Sequence, residues 1–425
     1  MAEPSENKTL SYLNIIIYLI SNVLNKAIPF LLLPVLTRYL SPGEYGNWAL
    51  FTLFVTFLTP LIGMNMQNII SRNFFKKDKE EIASIISNII IVLLALFFLI
   101  TFIMWLYLLF TDQLFGISKN MILLIPFIVL LNMLFELHLT LLRNKEKPFI
   151  YGSYQVSYTV INLFISILLV AVFLLGWHGR AYGYLIASMI FGILGIIHIH
   201  ISGYLKINID RSVLKEIMLV SSPLIVYSLA NVIINLSDRL FIDIMVNKEA
   251  VGLYTVGYTF GAIILLYTDS FSKSWNPWFY KLIQNNKQEN LHNIVKISYK
   301  YVLILLLVST IVICISYILL PLMVTENYYP AKDFIAWVAI GYTFNGMYRM
   351  IFPCFIHTGK TNILALIAVI AAIINMILNY ILIKFNGPVG AAQSTLITFA
   401  ISFAISWFYA NKILPLPWNP SGFKQ

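Results

Sequence analysis

The chain has 425 residues, of which 60% are hydrophobic and only 11% are charged. A soluble globular domain carries roughly 25% charged residues, so this composition excludes a water-soluble fold. The formal net charge of +10 would suit a nucleic-acid-binding protein, but the Lys and Arg residues lie in short stretches between apolar runs. That distribution is typical of a membrane protein whose loops carry orientation signals.

Apolar runs of about 20 residues recur along the chain, and each is long enough to cross a hydrocarbon core about 30 Å thick as a helix. The first run follows the polar residues 1–9, is too long for a signal peptide and has no small-residue cleavage site, so we expect a retained helix. The predicted fold is all-α, a polytopic membrane protein of about twelve transmembrane helices. The predicted spans are 10–39, 45–69, 82–110, 119–142, 149–175, 179–202, 216–246, 251–272, 294–320, 332–357, 361–384 and 388–411.

Lys and Arg are unevenly distributed among the connections between these spans. They concentrate at the two termini and in the even-numbered connections. The odd-numbered connections hold only Arg38, Lys119, Arg180, Lys248, Lys332 and Lys384. Because cytoplasmic loops carry an excess of Lys and Arg, the bias predicts that both termini are cytoplasmic.

Two stretches half a chain apart resemble each other, although any two helix-loop-helix stretches share some Lys and Gly at their ends. The matching positions are Lys147, Asn162, Gly179 and Gly183 in the first half and Lys360, Asn375, Gly387 and Gly390 in the second. Since six spans is an even number, both halves enter the membrane with the same orientation. The repeat predicts two six-helix lobes related by a pseudo-two-fold axis along the membrane normal.

The predicted domain organisation follows from the spans and the repeat. It consists of a cytoplasmic N-terminus over 1–9, an N-lobe over 10–202, a cytoplasmic linker over 203–215, a C-lobe over 216–411 and a cytoplasmic C-terminus over 412–425.

Three cations fall inside predicted spans, namely Lys26, Arg239 and Arg349. An ionised side chain at the bilayer centre costs about 2.5–3.5 kcal/mol, so it needs a protein or water neighbour in place of lipid. We therefore predict that these three residues face a cavity and bind substrate. Polar residues predicted to line the same cavity are Asn22, Asn25, Asn235 and Asn345.

Structural interpretations of the same cations stay open. A lysine can extend toward the headgroups from a helix end, but Lys26 lies near the middle of its span. Arg239 and Asp243 share a helix face and can pair, whereas the adjacent Asp238 and Arg239 do not face each other on an ideal helix. A structural ion pair and a cavity cation are therefore equally compatible with the position of Arg239.

Acidic side chains within the spans are candidates for coupling transport to ion movement. These candidates are Glu136 and Asp238. Glu136 also shares a helical stripe with Arg143 and can pair with it. Asp269 is predicted to form a solvated pair with Lys273, four residues later.

Signatures of enzymatic or metal sites are weak. Gly359-Lys360-Thr361 looks like the end of a phosphate-binding loop, but Cys354 stands where that loop needs glycine. His198 and His200 point away from each other on a helix. Cys314 also lies in an apolar run, so the two cysteines indicate neither disulfides nor a metal site. With only short outward connections, the sequence predicts no enzyme, no cofactor and no metal.

Several short strings resemble the polysaccharide-biosynthesis flippases of the multidrug/oligosaccharidyl-lipid/polysaccharide exporter superfamily. They are Leu31–Gly46 (LLLPVLTRYLSPGEYG), Asp238-Arg239, Gly252-Leu253-Tyr254, Asn375–Asn379 and 387–392 (GPVGAA). The resemblance implies a twelve-helix, two-lobe fold that flips undecaprenyl-pyrophosphate-linked repeat units by alternating access, as for O-antigen or capsule. It also implies a cationic cavity, which Lys26, Arg239 and Arg349 match.

The predicted function is therefore flipping of a lipid-linked oligosaccharide across a bacterial inner membrane. Two alternatives stay open, a cation-coupled multidrug exporter of the same superfamily and a membrane glycan polymerase or ligase. The predicted partners are the undecaprenyl-pyrophosphate-linked glycan, membrane lipid and glycan polymerase machinery, with no nucleic acid. We expect a multi-pass monomer.

Overall fold

The computed structural model describes residues 30–206, 209–284 and 288–418. Within these ranges the chain is almost entirely helical. The only β-structure there is an antiparallel pair, with Gln113 opposite Ser118 and Leu114 opposite Ile117. Two compact units form, divided after Leu229, and they are called unit 1 and unit 2 below.

Unit 1 holds the first helices and the β-pair. Its elements are α1 (Phe30–Tyr39), α2 (Pro42–Gly63), α3 (Gln67–Asn73), α4 (Lys79–Tyr107), β1 (Gln113–Leu114), β2 (Ile117–Ser118), α5 (Lys119–Asn144), α6 (Pro148–Ile167) continued by a π-helical turn (Leu168–Val172), α7 (Gly176–Ile201) and the first part of α8 (Arg211–Met245).

Unit 2 begins within α8. Its further elements are α9 (Lys248–Gly261), α10 (Ile264–Gln284), α11 (Gln288–Met323), a 3₁₀ turn (Glu326–Ala331), α12 (Lys332–His357), α13 (Thr361–Asn386) and α14 (Val389–Ile413).

Local sequence explains where the early helices begin. Ser41 caps α2 in a capping box with Glu44, and Asp78 caps α4 in the same way with Glu81. In each box two backbone N–H groups that lack intrahelical partners receive side-chain oxygens. Pro42 occupies the first turn of α2, where its fixed φ and missing N–H suit a helix start.

The second predicted span, 45–69, is wrong in its extent. Helix α2 ends at Gly63, because Met64 and Asn65 adopt left-handed backbone conformations with φ of 47° and 52°. Two such residues in succession cannot continue a right-handed helix. The remaining residues of the predicted span begin the separate short helix α3.

Each predicted span after the first overlaps one long helix, except the second and the eighth, which each overlap two helices. The helices differ in apolar character. Among the described residues, eight are long and apolar enough to cross a membrane. Helices α9 and α10 together form a ninth, bent by 43°. Helices α8 and α12 are not among these nine, and they carry the predicted intramembrane arginines, Arg239 in α8 and Arg349 in α12.

The bend between α9 and α10 has a packing reason. Gly261 ends α9, and a Cβ placed there would lie 2.8 Å from Val338 side-chain atoms and 3.0 Å from the Ile335 carbonyl oxygen. The close approach of α12 to this point requires glycine, which is a poor residue for continuing a helix. The eighth predicted span is therefore two helices, not one.

The hairpins α6–α7 and α13–α14 share a local geometry. Gly176 and Gly387 have φ of 57° and 60°, and each is followed three residues later by a glycine, Gly179 or Gly390. This supports the predicted repeat but corrects its register. Gly179 corresponds to Gly390, and not to Gly387 as the sequence comparison assumed.

Both of these later glycines allow two backbones to meet. A Cβ on Gly179 would lie 2.9 Å from the Leu169 carbonyl group, and a Cβ on Gly390 would collide with the carbonyl group of Leu382. In each hairpin the second helix therefore crosses the first at a point where only glycine fits.

Candidate functional site

Three of the predicted site residues, Asn22, Asn25 and Lys26, lie outside the described residues. Their roles stay predictions. The other predicted residues fall into three separate places, two in unit 2 and one in unit 1.

The first place in unit 2 is the buried ion pair of Asp238 and Arg239 in α8. The Arg239 Nη1 atom lies 3.0 Å from Asp238 Oδ1, and only 6% of the Arg239 side chain and none of the Asp238 side chain is exposed. The same carboxylate oxygen accepts the Arg239 backbone N–H at 2.8 Å. The predicted pairing of Arg239 with Asp243 is therefore wrong, because the long arginine side chain folds back onto its neighbour.

Tyrosines from α9 and α12 enclose this ion pair. The Arg239 guanidinium lies 4.4 Å from the ring centroid of Tyr258 and 5.4 Å from that of Tyr254, distances at which a ring face attracts a cation. The Tyr254 hydroxyl donates to the second carboxylate oxygen of Asp238. The hydroxyls of Tyr258 and Tyr342 are hydrogen-bonded to each other.

The predicted cavity residue Asn235 belongs to the same cluster. Its carbonyl oxygen accepts from Arg239 Nη1 at 3.1 Å, and its side-chain oxygen accepts from Tyr342 at 3.3 Å. Every charge in this cluster thus has a partner within unit 2. A buried charge of this kind is strongly destabilising when its partner is removed.

A hydrogen-bonded network of serine, threonine and asparagine side chains extends from α8 to α13 and α14. Ser237 donates to the side-chain oxygen of Asn375 at 3.1 Å, and Asn379 donates to the same oxygen at 3.0 Å. The Asn375 amide in turn donates to Ser394 and Thr398, at 3.4 and 3.3 Å. Asn375, which the sequence analysis identified through the repeat and the family resemblance but not as a site residue, is the centre of this network.

The second place in unit 2 surrounds Arg349 in α12. Its guanidinium forms an ion pair through Nη1 with Asp269 of α10, and its Nε donates to Asn345 at 2.9 Å. The Arg349 side chain is 37% exposed and that of Asp269 is 23% exposed. The prediction that assigned Asp269 to a solvated pair with Lys273 missed this partner, because α10 and α12 are distant in sequence.

Aromatic side chains lie beside this second ion pair. Tyr301 of α11 stacks on Phe271 and Tyr267 of α10, with ring centroids 3.6 and 6.1 Å apart. The Tyr301 hydroxyl points at the Gly346 carbonyl, one turn before Arg349, at 3.4 Å. The partly exposed guanidinium is suited to an anionic ligand, whereas the Tyr301 ring is buried and supports the helix packing around it.

Glu136, the predicted coupling residue of unit 1, lies half-buried in α5. Among the described residues no ion pair joins it to Arg143, which instead donates to Thr140 at 3.2 Å. Of the two interpretations of Glu136, a direct ion pair with Arg143 is thus not formed among the described residues. The role of Glu136 in coupling stays a prediction.

Sequence reasoning missed a buried cation site in unit 1 by assigning Arg180 to a loop. Helix α7 begins four residues earlier, so Arg180 lies in its first turns and points back at α6. Its Nη1 atom donates to Asn162 at 2.6 Å and to Ser166 at 2.7 Å, and its guanidinium lies 4.4 Å from the Trp48 ring centroid. The buried Nε atom has no partner in the described part of the chain.

The sequence feature that could have predicted this site is the spacing of Asn162 and Ser166. The two residues are one turn apart and share a helix face. Both are buried, and such a polar pair in a span requires a donor from a neighbouring helix.

A second polar group of unit 1 lies around Asn132 in α5. Its amide donates to the Tyr184 hydroxyl at 2.8 Å, and its oxygen accepts from Ser188 at 2.9 Å and from Tyr158 at 3.3 Å. Nearer the end of α5, His138 and His198 are hydrogen-bonded ring to ring at 2.9 Å. Of the two histidines that the sequence did not support as a metal pair, His198 thus contacts a histidine from another helix, His138.

Comparisons with known proteins agree with this architecture. A sequence profile of the family described as "Polysaccharide biosynthesis protein" matches residues 12–283, which is more than half of the chain. A second profile, described as MatE, matches residues 223–381. A relative from Haemophilus influenzae, "Lsg locus putative protein 1", is 22% identical over 280 residues. The aligned region covers 64% of this chain and 66% of the relative, which is just under two thirds of the relative's length.

Solved transporters share the fold. An inward-facing multidrug resistance MATE family transporter of the MOP superfamily superposes with a TM-score of 0.75 at 13% identity, covering 91% of this chain and 94% of that one. A mutant of the Vibrio cholerae MATE transporter VcmN gives 0.66 at 15% identity, covering 97% and 98%. A Pyrococcus furiosus MOP superfamily transporter, described as having a binding pocket of reverse polarity, gives 0.64 at 14% identity, covering 94% and 95%.

The predicted fold class, an all-α polytopic membrane protein with its helices in two lobes, is confirmed. The fold is the one that solved transporters share, the prediction that the protein is not an enzyme is confirmed, and the polymerase or ligase alternative is not retained. The chain belongs to the polysaccharide biosynthesis protein family.

Proposed function

We propose that the protein flips an undecaprenyl-pyrophosphate-linked oligosaccharide repeat unit across the bacterial inner membrane by alternating access, for an O-antigen or capsule-type polysaccharide. Membership of the polysaccharide biosynthesis protein family supports the glycan as cargo. The pyrophosphate is the part of such a substrate that a membrane protein must recognise electrostatically. Charged groups that face the substrate are therefore the residues on which the proposal depends.

The observation that carries the proposal is the half-exposed guanidinium of Arg349. Asp269 and Asn345 engage Nη1 and Nε, and Nη2 has no partner among the described residues. Arginine binds phosphate through paired N–H donors in a planar fork, so this free edge can accept one phosphate oxygen without breaking the existing contacts. The partly exposed ring of Tyr267, which stacks on the buried Tyr301, is the nearby aromatic side chain that a sugar could contact.

The buried pair of Asp238 and Arg239 has a different role in this proposal. Protonation of Asp238 would cancel the attraction that holds Arg239 and would free its guanidinium, so the pair is the candidate link between ion movement and the state of unit 2. In the first lobe, Lys26 stays the predicted substrate-binding cation and Glu136 the predicted coupling residue.

Replacement of Arg349 tests the assignment. In a deletion strain complemented with Arg349→Ala, we expect loss of the surface glycan and accumulation of its lipid-linked intermediate in the inner leaflet. Arg349→Lys should retain part of the export, because the charge stays while the fork is lost. Lys332→Ala is the matched control, since Lys332 is an exposed cation on the same helix. Membrane protein level is measured for every variant. A full glycan coat in Arg349→Ala would contradict the assignment.

A cation-coupled multidrug exporter of the same superfamily is the second candidate. It is favoured by the MatE profile over residues 223–381 and by the fold shared with multidrug transporters. The same deletion strain separates the two. Drug sensitivity without any glycan defect would favour the exporter, and glycan loss without drug sensitivity would favour the flippase.

Location and partners follow from the proposal. We place the protein in the inner membrane as a multi-pass monomer with both termini cytoplasmic, next to the glycan polymerase machinery. Reporter fusions at the C-terminus and at Lys248 test the orientation, since only the first should report a cytoplasmic location.

A further inference from the structure

Two lysines converge on one aromatic ring at the end of unit 1 where α4 begins and α5 and α7 end. The Lys145 ammonium lies 4.1 Å from the ring centroid of Tyr204, and the Lys79 ammonium lies 5.4 Å from it. Both distances are within the range in which a ring face attracts a cation. Two cations held at one ring repel each other, so the arrangement favours a shared anion.

The backbone after α7 creates the space for this arrangement. Gly203 has a φ of 74°, and the Tyr204 N–H donates back to the Ile199 carbonyl at 3.0 Å, which turns the chain sharply. A Cβ on Gly203 would lie 3.0 Å from the Lys79 Nζ atom. The absence of that Cβ lets the Lys79 side chain lie against the turn and reach the ring.

The nearby carboxylates of α4 are engaged elsewhere. Asp78 and Glu81 form the capping box of α4, and Glu80 is paired with Lys206 at 2.8 Å. Within the described residues no carboxylate lies within 4 Å of the Lys79 or Lys145 ammonium group. Burial lowers the pKa of Lys145, and the nearby Lys147 and Lys79 lower it further. The charge of the two lysines is therefore not compensated by a contacting carboxylate in the described parts of the chain.

Exposed apolar side chains border the two lysines. Phe149 follows Lys145 by four residues and is 67% exposed, and Ile201 precedes Tyr204 by three and is 77% exposed. In a membrane protein such residues contact acyl chains, whereas lysines at helix ends reach the headgroup layer. Basic pockets between helix ends at this level bind the headgroups of anionic lipids.

We propose that Lys79, Lys145 and Tyr204 form a binding site for the phosphate group of an anionic membrane phospholipid. The two ammonium groups donate to the phosphate oxygens, and the Tyr204 ring forms the floor that holds both lysine side chains in place. The acyl chains of the same lipid lie along the exposed apolar residues. This site is separate from the transport site proposed above and does not depend on its substrate.

Binding of phosphatidylglycerol to the purified full-length protein tests the site. The measurement is lipid retention by native mass spectrometry, together with titration of the lipid into neutral detergent micelles. We expect Lys79→Gln/Lys145→Gln to weaken binding by about tenfold or more, since each lysine near an anionic headgroup contributes about 1 kcal/mol. Tyr204→Leu should weaken it less, because the charges stay but their positions are no longer fixed.

The matched control is Lys76→Gln/Lys215→Gln, which removes two exposed lysines of the same unit without touching the ring. Unchanged binding in the Lys79/Lys145 variant would overturn the proposal, and so would equal weakening in the control, which would indicate diffuse surface charge. Full displacement of the lipid by excess inorganic phosphate would show a free-phosphate site and would overturn the lipid assignment. A thermal unfolding midpoint equal to that of the native protein checks that each variant is folded.

Discussion

Each unit encloses one arginine among polar side chains, buried in unit 2 and half-buried in unit 1, and the two are stabilised differently. In unit 2, Arg239 is paired with the carboxylate of Asp238 and enclosed by tyrosine rings. In unit 1, Arg180 has only the neutral oxygens of Asn162 and Ser166 and the face of Trp48, with no carboxylate within 4 Å among the described residues. One cluster is electrically neutral and closed, and the other carries a net positive charge.

The comparison separates what the repeat preserves from what it does not. Both hairpins keep a left-handed glycine, a crossing glycine and an asparagine on the first helix, Asn162 or Asn375. Asn162 holds an arginine from the second helix, whereas Asn375 holds Ser394 and Thr398. The crossing of the helices is therefore a shared structural requirement, while the charge at the crossing is specific to each unit.

The largest expected effect is that of Arg239→Gln. Removal of the guanidinium leaves the Asp238 carboxylate buried without its counter-charge, which destabilises a protein by about 3–5 kcal/mol. Thermal and denaturant unfolding of the purified protein in detergent measures the change. The double variant Asp238→Asn/Arg239→Gln should recover much of the loss, because no lone charge remains. If the double variant is as unstable as the single one, packing and not charge dominates this cluster.

The sequence was sufficient to predict where most helices lie and which charged residues fall within them. It was insufficient to predict which side chains those charged residues contact. Length and apolarity identified the spans, because the thickness of a bilayer sets both. Pairings such as Arg349 with Asp269, or Arg180 with Asn162, join residues from different helices, and no local spacing encodes them. The contact between Asp238 and Arg239 was missed for another reason. Adjacent residues point apart on an ideal helix, but the long arginine side chain folds back and reaches its neighbour.

The crossing glycines give the next largest effect. Gly390→Ala should destabilise unit 2 by about 1–3 kcal/mol, as overpacking does, because its Cβ would collide with the Leu382 carbonyl group. Gly179→Ala should cost less, since its Cβ would lie 2.9 Å from the Leu169 carbonyl and needs a smaller shift. Gly43→Ala is the control, with no neighbouring atom within 4 Å, and should be neutral or stabilising. Unfolding midpoints in detergent rank the three, and a loss in Gly43→Ala equal to that in Gly390→Ala would remove the crossing argument.

The smallest expected effect on stability is that of Arg180→Gln, less than about 1 kcal/mol in either direction. The variant loses hydrogen bonds to Asn162 and Ser166, but it also removes a buried charge that has no carboxylate partner, and these changes oppose each other. The same unfolding measurement applies, with Arg180→Lys as the variant that keeps the charge. A loss as large as that of Arg239→Gln would show that the charge itself stabilises unit 1. If Arg180→Gln loses glycan export at unchanged stability while Arg180→Lys keeps it, the positive charge of unit 1 binds an anion during transport. The neutral cluster around Asp238 and Arg239 in unit 2 would not bind such an anion.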